Sequence, residues 1–269
     1  MRILCLHGRG TSGFIFKSQT SSFRSMLEDL DIEFEWLDGA YPDKAAPGID
    51  LFYDPPYYSF YPADTLEALA VTRRWLDNHL AQSGPYDAVM MFSQGCVVGY
   101  SALLHHEIEQ RTNGASSSSS NTPPPFKAAI FICGGPPLQE LESLGFHISD
   151  EVQAQDTRAR EALAAQADSA AILKQGGARW AGVASEDEKP EEELRQQITG
   201  PYKVRIPTVH IYGTKDPRYA AGVQLSGLCD ESLRRTFNHQ GGHEIPRMEA
   251  VSRQIADMVR WALKESALV

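Results

Sequence analysis

The chain has 269 residues, 42% of them hydrophobic, and a formal net charge of −10. That length and apolar content suffice for one large buried core, whereas the acidic balance would repel nucleic acid and anionic membranes alike. No apolar run reaches bilayer-spanning length and the first residues enter a strand rather than a basic-then-apolar leader, so a cytoplasmic protein with no nucleic-acid and no membrane partner is expected.

Residues 2–7 read as a short apolar strand ending in His7-Gly8-Arg9-Gly10-Thr11-Ser12-Gly13, a glycine-rich turn that leads to a helix near 17–30. Free backbone N–H groups in such a turn suit an oxyanion or a phosphate. The phosphate reading is the weaker one, because neither G-x-x-x-x-G-K-[ST] nor G-x-G-x-x-G fits the spacing. His7 is assigned to ordering this loop by hydrogen bonding. After a strand at 32–37 comes Leu51 to Pro62, dense in aromatics and prolines. That composition suits a rigid apolar wall beside a pocket, or a surface loop pinned by its own rings.

A helix at 64–82 precedes Asp87-Ala-Val-Met-Met-Phe-Ser93-Gln94-Gly95, an apolar strand (87–92) that breaks into a helix (94–112) with a serine at the break. This is the shape of a nucleophile elbow, although Met91 stands where G-x-S-x-G has its first glycine, and a serine here could also simply cap the helix. The Ser- and Pro-rich stretch 113–125 is expected to be a disordered linker at the far end of the sheet. Following a strand at 127–133, residues 134–205 hold a charged helical run (about 149–174), Gly176-Gly177 and an acidic stretch from Glu186 to Glu193. They read as a lid or cap, with the acidic stretch a solvated face. A buried strand at 207–212 runs into Thr214-Lys215-Asp216-Pro217, then a helix at 218–228. A strand at 233–238 runs into His239-Gln240-Gly241-Gly242-His243-Glu244-Ile245-Pro246, then a helix at 247–265.

Strands and helices alternating in this way imply a mostly parallel sheet covered on both faces, an α/β fold in one domain over 1–269, with functional loops at the strands' C-terminal ends. Ser93, Asp216 and His243 all follow strands directly, in the order of an α/β-hydrolase triad. Serine would be the nucleophile, histidine the proton carrier and aspartate its orienting partner. Asp216 could instead be a turn residue before Pro217, and His239 is a competing base. Cys5, Cys96, Cys133 and Cys229 lie far apart without metal-ligand spacing and read as reduced packing residues.

Leu6-His7-Gly8, Phe92-Ser93-Gln94-Gly95, Gly213-Thr214-Lys215-Asp216-Pro217 and Gly241-Gly242-His243-Glu244-Ile245-Pro246 together resemble the small fungal serine hydrolases of the FSH family. These are compact α/β-hydrolases related to the ovarian-cancer-associated esterase group, and several accompany polyketide synthases as product-releasing thioesterases or esterases. The resemblance implies that Ser93, Asp216 and His243 form the triad and that the backbone N–H groups of Arg9 and Gln94 form the oxyanion hole. It implies no metal and no organic cofactor. The expected substrate contacts are Tyr57 and Tyr58 of the aromatic stretch and Phe14 after the glycine-rich turn. The expected partner is a hydrophobic acyl substrate, presented free or on a polyketide synthase acyl carrier domain. A small-molecule carboxylesterase or deacetylase, and a hydrolase-fold binding protein without turnover, are the competing functions.

Overall fold

The strands Ala88–Phe92 (β5), Ala128–Ile132 (β6) and Thr208–Tyr212 (β9) are apolar runs buried at every position. Continuous burial of this kind marks strands covered on both faces. The computed structural model describes residues 1–114, 123–166, 172, 174 and 189–268. In it these three strands join Arg2–Leu6 (β1), Glu33–Leu37 (β2) and Arg234–Asn238 (β10) in one six-stranded sheet of order β10-β9-β6-β5-β1-β2, every pairing parallel. The two edge strands, β2 and β10, are only partly buried.

Alternation along each strand sends its side chains to opposite faces. Leu4, Leu6, Val89, Met91, Ala129 and Phe131 enter a core under the helices Leu66–Ser83 (α3) and Gln94–Gly114 (α4). Ile3, Cys5, Met90, Phe92, Ile130, Ile132 and Ile211 enter a second core under Gly13–Gln19 (α1), Ser21–Arg24 (α2) and Glu249–Glu265 (α9). The helix expected at 17–30 starts earlier and breaks. Ser12 caps α1 by accepting from the Ile15 N–H, and the hydroxyls of Thr20, Ser21 and Ser25 bond to carbonyls a turn back. Such local bonds compete with a straight helix.

Residues 134–205 contribute Leu138–Ser143 (α5), Asp150–Ala165 (α6), Glu191–Gln196 (α7) and a small hairpin, His147–Ile148 (β7) with Ile198–Thr199 (β8). Tyr219–Gly227 (α8) follows β9. Glu140 in α5 is buried and accepts from Arg73, Ser101 and His105, which ties α5 to α3 and α4. The disorder expected at 113–125 falls largely outside the described residues. So do Gly176-Gly177 and residues 186–188 of the acidic stretch. Tyr57–Ser59 (β4) of the aromatic stretch pairs antiparallel with the earlier Tyr41–Asp43 (β3). Among the described residues no helix is long and apolar enough to cross a membrane.

Candidate active site

Chain order reverses between β1 and β5, since β2 lies on one side of that pair and β6 on the other. A parallel sheet opens a crevice at such a point. The loop after β1 and the turn after β5 meet there. Ser93 has φ 51, the left-handed conformation that a sharp strand-to-helix turn imposes. Gly95 is obligatory at this turn: its N–H donates to the His7 carbonyl at 3.1 Å, and a Cβ would lie 2.3 Å from the Leu6 oxygen.

Met91 takes the place of the usual glycine without crowding the elbow. Its side chain is buried and fills the space over Gly99 in α4, where a Cβ would come within 2.1 Å of its sulfur. The missing methyl has moved to the facing helix.

Ser93 Oγ lies 2.9 Å from His243 Nε2, and His243 Nδ1 lies 2.8 Å from Asp216 Oδ2. Asp216 Oδ1 accepts the Arg218 backbone N–H at 2.8 Å. Burial of Asp216 opposes ionisation, but His243, with its charge and hydrogen bond, and the N–H and guanidinium of Arg218 outweigh it and hold the carboxyl below its usual range. His239 is not part of this chain. Its Nδ1 accepts the Gly241 N–H at 3.1 Å, and burial pushes its pKa down to about 4, so it stays neutral. Cys133, Asp216 and His243 bring three ligand-type atoms within 4.8 Å of one another. Two of those atoms already bond each other, and burial raises the Cys133 thiol well above its ordinary value, which suits packing and not a metal centre.

Arg9, Ser93 and Gln94 all line the cleft at this point. Gln94 opens α4, where the first N–H groups find no acceptor inside the helix. No acceptor among the described residues takes the Arg9 N–H. The loop carrying Arg9 is braced throughout. His7 Nε2 accepts the Gly39 N–H at 2.9 Å, so Nδ1 carries the proton toward the Gly8 carbonyl at 2.7 Å, and burial lowers its pKa. Gly10, at φ +64, donates to the Tyr58 carbonyl at 2.9 Å, and the Tyr58 N–H donates to the Thr11 carbonyl at 2.6 Å.

A cleft of about 970 Å³ opens over Ser93, Gln94 and His243. Its apolar wall is built by Ile49, Phe52, Tyr53, Tyr61, Val97 and Leu163. The expected contacts Phe14, Tyr57 and Tyr58 do not line it. Phe14 faces solvent from the first turn of α1, the Tyr57 hydroxyl donates to the Tyr53 carbonyl at 2.6 Å, and Tyr58 spends its backbone on the Arg9 loop. The correction has a simple physical cause: Tyr57–Ser59 pairs with Tyr41–Asp43 and becomes a brace, leaving Phe52 and Tyr53 before it and Tyr61 after it to the wall. Composition could not separate brace from wall. The sequence also did not single out Gln94's side chain, which bonds the Phe60 N–H at 2.8 Å and the Tyr61 carbonyl at 3.0 Å, or Asp64, Asp156, Arg160 and Arg218, which link α6 to the Asp216 turn through ion pairs.

A parallel α/β sheet with a serine elbow at its switch point, and a histidine and carboxylate in line behind it, defines a serine hydrolase of α/β-hydrolase architecture. The chain belongs to the serine hydrolase (FSH1) family, whose model matches residues 1–255. It is similar to esterase alnB of Emericella nidulans, at 30% identity with 98% of this chain and 97% of that protein covered. Esterase FPY3 of Fusarium mangiferae is also 30% identical, over 97% of this chain and 94% of that protein. Among solved structures, a Bacillus cereus carboxylesterase shares the fold with a TM-score of 0.52 and 12% identity, covering 97% of this chain and 87% of that one.

Proposed function

We propose that the protein hydrolyses an acyl thioester or ester through Ser93, His243 and Asp216, and that it releases or edits a polyketide-type product. The observation that carries this reading is the unbroken line from Ser93 Oγ to His243 Nε2 at 2.9 Å and from His243 Nδ1 to Asp216 Oδ2 at 2.8 Å, at the foot of a cleft with an apolar wall. His243 Nε2 takes the hydroxyl proton as Ser93 Oγ attacks the acyl carbon. The N–H groups of Arg9 and Gln94 receive the oxyanion. His243 then gives its proton to the departing thiol or alcohol, leaving an acyl-enzyme. Water repeats the sequence in reverse roles, with Asp216 keeping the histidine tautomer correct throughout.

Similarity to proteins described as esterases supports ester-type substrates. The likeness of the motifs to fungal enzymes that accompany polyketide synthases supports an acyl group delivered on a carrier domain. Four buried free thiols suit the reducing cytoplasm. A fluorophosphonate probe tests the reading. Wild type should be labelled and Ser93→Ala should not, and medium-chain thioesters should turn over faster than the matching oxygen esters. Labelling with faster oxygen-ester turnover would make the protein a carboxylesterase. A folded wild type that resists the probe would overturn the catalytic assignment.

A further inference from the structure

The cleft over Ser93 has a neighbour. A second pocket of about 280 Å³ lies on the far side of Tyr61, Asp64, Val97 and Arg160, and these four residues line both spaces. Tyr61 and Val97 are fixed, each only 4% exposed. Asp64 and Arg160 are different. Their side chains are 46% and 35% exposed, and their ion pair joins the loop before α3 to helix α6. Exposed pairs of this kind are weak. Arg160 has a second carboxylate within its own helix, Asp156 at 2.6 Å, and Asp156 is itself held by Arg218 at 2.9 Å. Arg160 can therefore release Asp64 and remain charge-paired.

We propose that the Asp64–Arg160 pair is a gate between the reaction cleft and this side pocket, and that the pocket takes the distal end of an uncharged acyl chain. Leu66, Leu69 and Leu138 give it an apolar floor. Glu140, Glu142 and Asp156 in its lining reject an anionic chain end, and the buried Glu140 Oε2, which has no hydrogen-bond partner among the described residues, offers an acceptor to a hydroxyl. Short acyl groups stay in the cleft and do not meet the gate. The inference rests on Ser93 as the residue that accepts the acyl group.

The test compares kcat/KM for nitrophenyl butanoate, dodecanoate and a dodecanoate ending in a carboxylate. Arg160→Ala should raise the dodecanoate-to-butanoate ratio by at least about tenfold, since burying only two further methylenes, at roughly fourfold each, already exceeds that. Adding Leu66→Trp, which fills the side pocket, should cancel the rise, and the carboxylate-ended substrate should gain nothing from the open gate. Asp64→Asn serves as a second opening variant that keeps Arg160 on its helix. An unchanged ratio in variants that still label with fluorophosphonate, or a rise that survives Leu66→Trp, would overturn the gate while leaving Ser93 in place. A wild type that cannot be labelled would instead remove the nucleophile itself.

Discussion

Asp216→Asn isolates the orienting role of the carboxylate with almost no change of shape. Asp216 uses both oxygens, Oδ1 for the Arg218 backbone N–H and Oδ2 for His243 Nδ1, each at 2.8 Å. An asparagine has one oxygen, and the Arg218 N–H requires it. The amide NH2 must then face His243 Nδ1, which can only accept, so the imidazole proton moves to Nε2 and points at Ser93. A protonated Nε2 cannot take the serine hydrogen. Wrong-tautomer triads of this kind lose about ten-thousand-fold in kcat, equivalent to about 5 kcal/mol of transition-state stabilisation. The assay is steady-state hydrolysis of a short nitrophenyl ester together with the rate of fluorophosphonate labelling, with thermal unfolding followed in parallel. A folded Asp216→Asn enzyme retaining a tenth or more of wild-type kcat would refute the reasoning.

Gly99→Ala should destabilise the protein by about 1–3 kcal/mol, the usual range for overpacking a tight core, because the new methyl would meet the Met91 sulfur. Met91→Ala in the same background should recover part of that loss, as a double-mutant cycle in urea would show. His210 stacks on Phe131 with centroids 4.8 Å apart, neither ring nitrogen has a hydrogen-bond partner among the described residues, and burial pushes its pKa down to about 3. The unfolded chain binds a proton at His210 near pH 6.5 and the folded one does not, so stability falls as the pH drops below that value, by up to about 1.4 kcal/mol per pH unit. His210→Phe keeps the stack and removes this slope. Parallel stability curves for the two proteins between pH 7 and 4 would refute it.

Much of the scaffold was legible because its signals are local. β5, β6 and β9 announce themselves as apolar runs closed by turn residues, and Ser93, Asp216 and His243, which the structure brings within hydrogen-bonding reach, sit directly after strands. What escaped depends on contacts across the chain. The pairing of Pro42 with Tyr58 turns an apparently wall-forming segment into a brace, and nothing in the aromatic composition marks that register. The compensation of Met91 by Gly99 is visible only once α4 lies over β5. Arg218 meets Asp156 across 62 residues and Arg160 meets Asp64 across 96, distances over which no sequence period operates. At α1 the cause is different: the apolar pattern alone suggests one helix, and the hydroxyls of Thr20, Ser21 and Ser25 break it by bonding to nearby carbonyls.

The order of strands in the sheet has a bearing on how the enzyme is made. β1, β2, β5 and β6 come first in the chain and lie side by side in the sheet, so the part that carries the elbow and the Arg9 loop is synthesised first, with β6 at its margin. β9 pairs with β6 and β10 with β9, and the turns after them carry Asp216 and then His243. A nascent chain therefore carries Ser93 without Asp216 and His243 until most of it has been synthesised. The exposed margin of β6 is where such an unfinished chain is most open to mispairing with a neighbour.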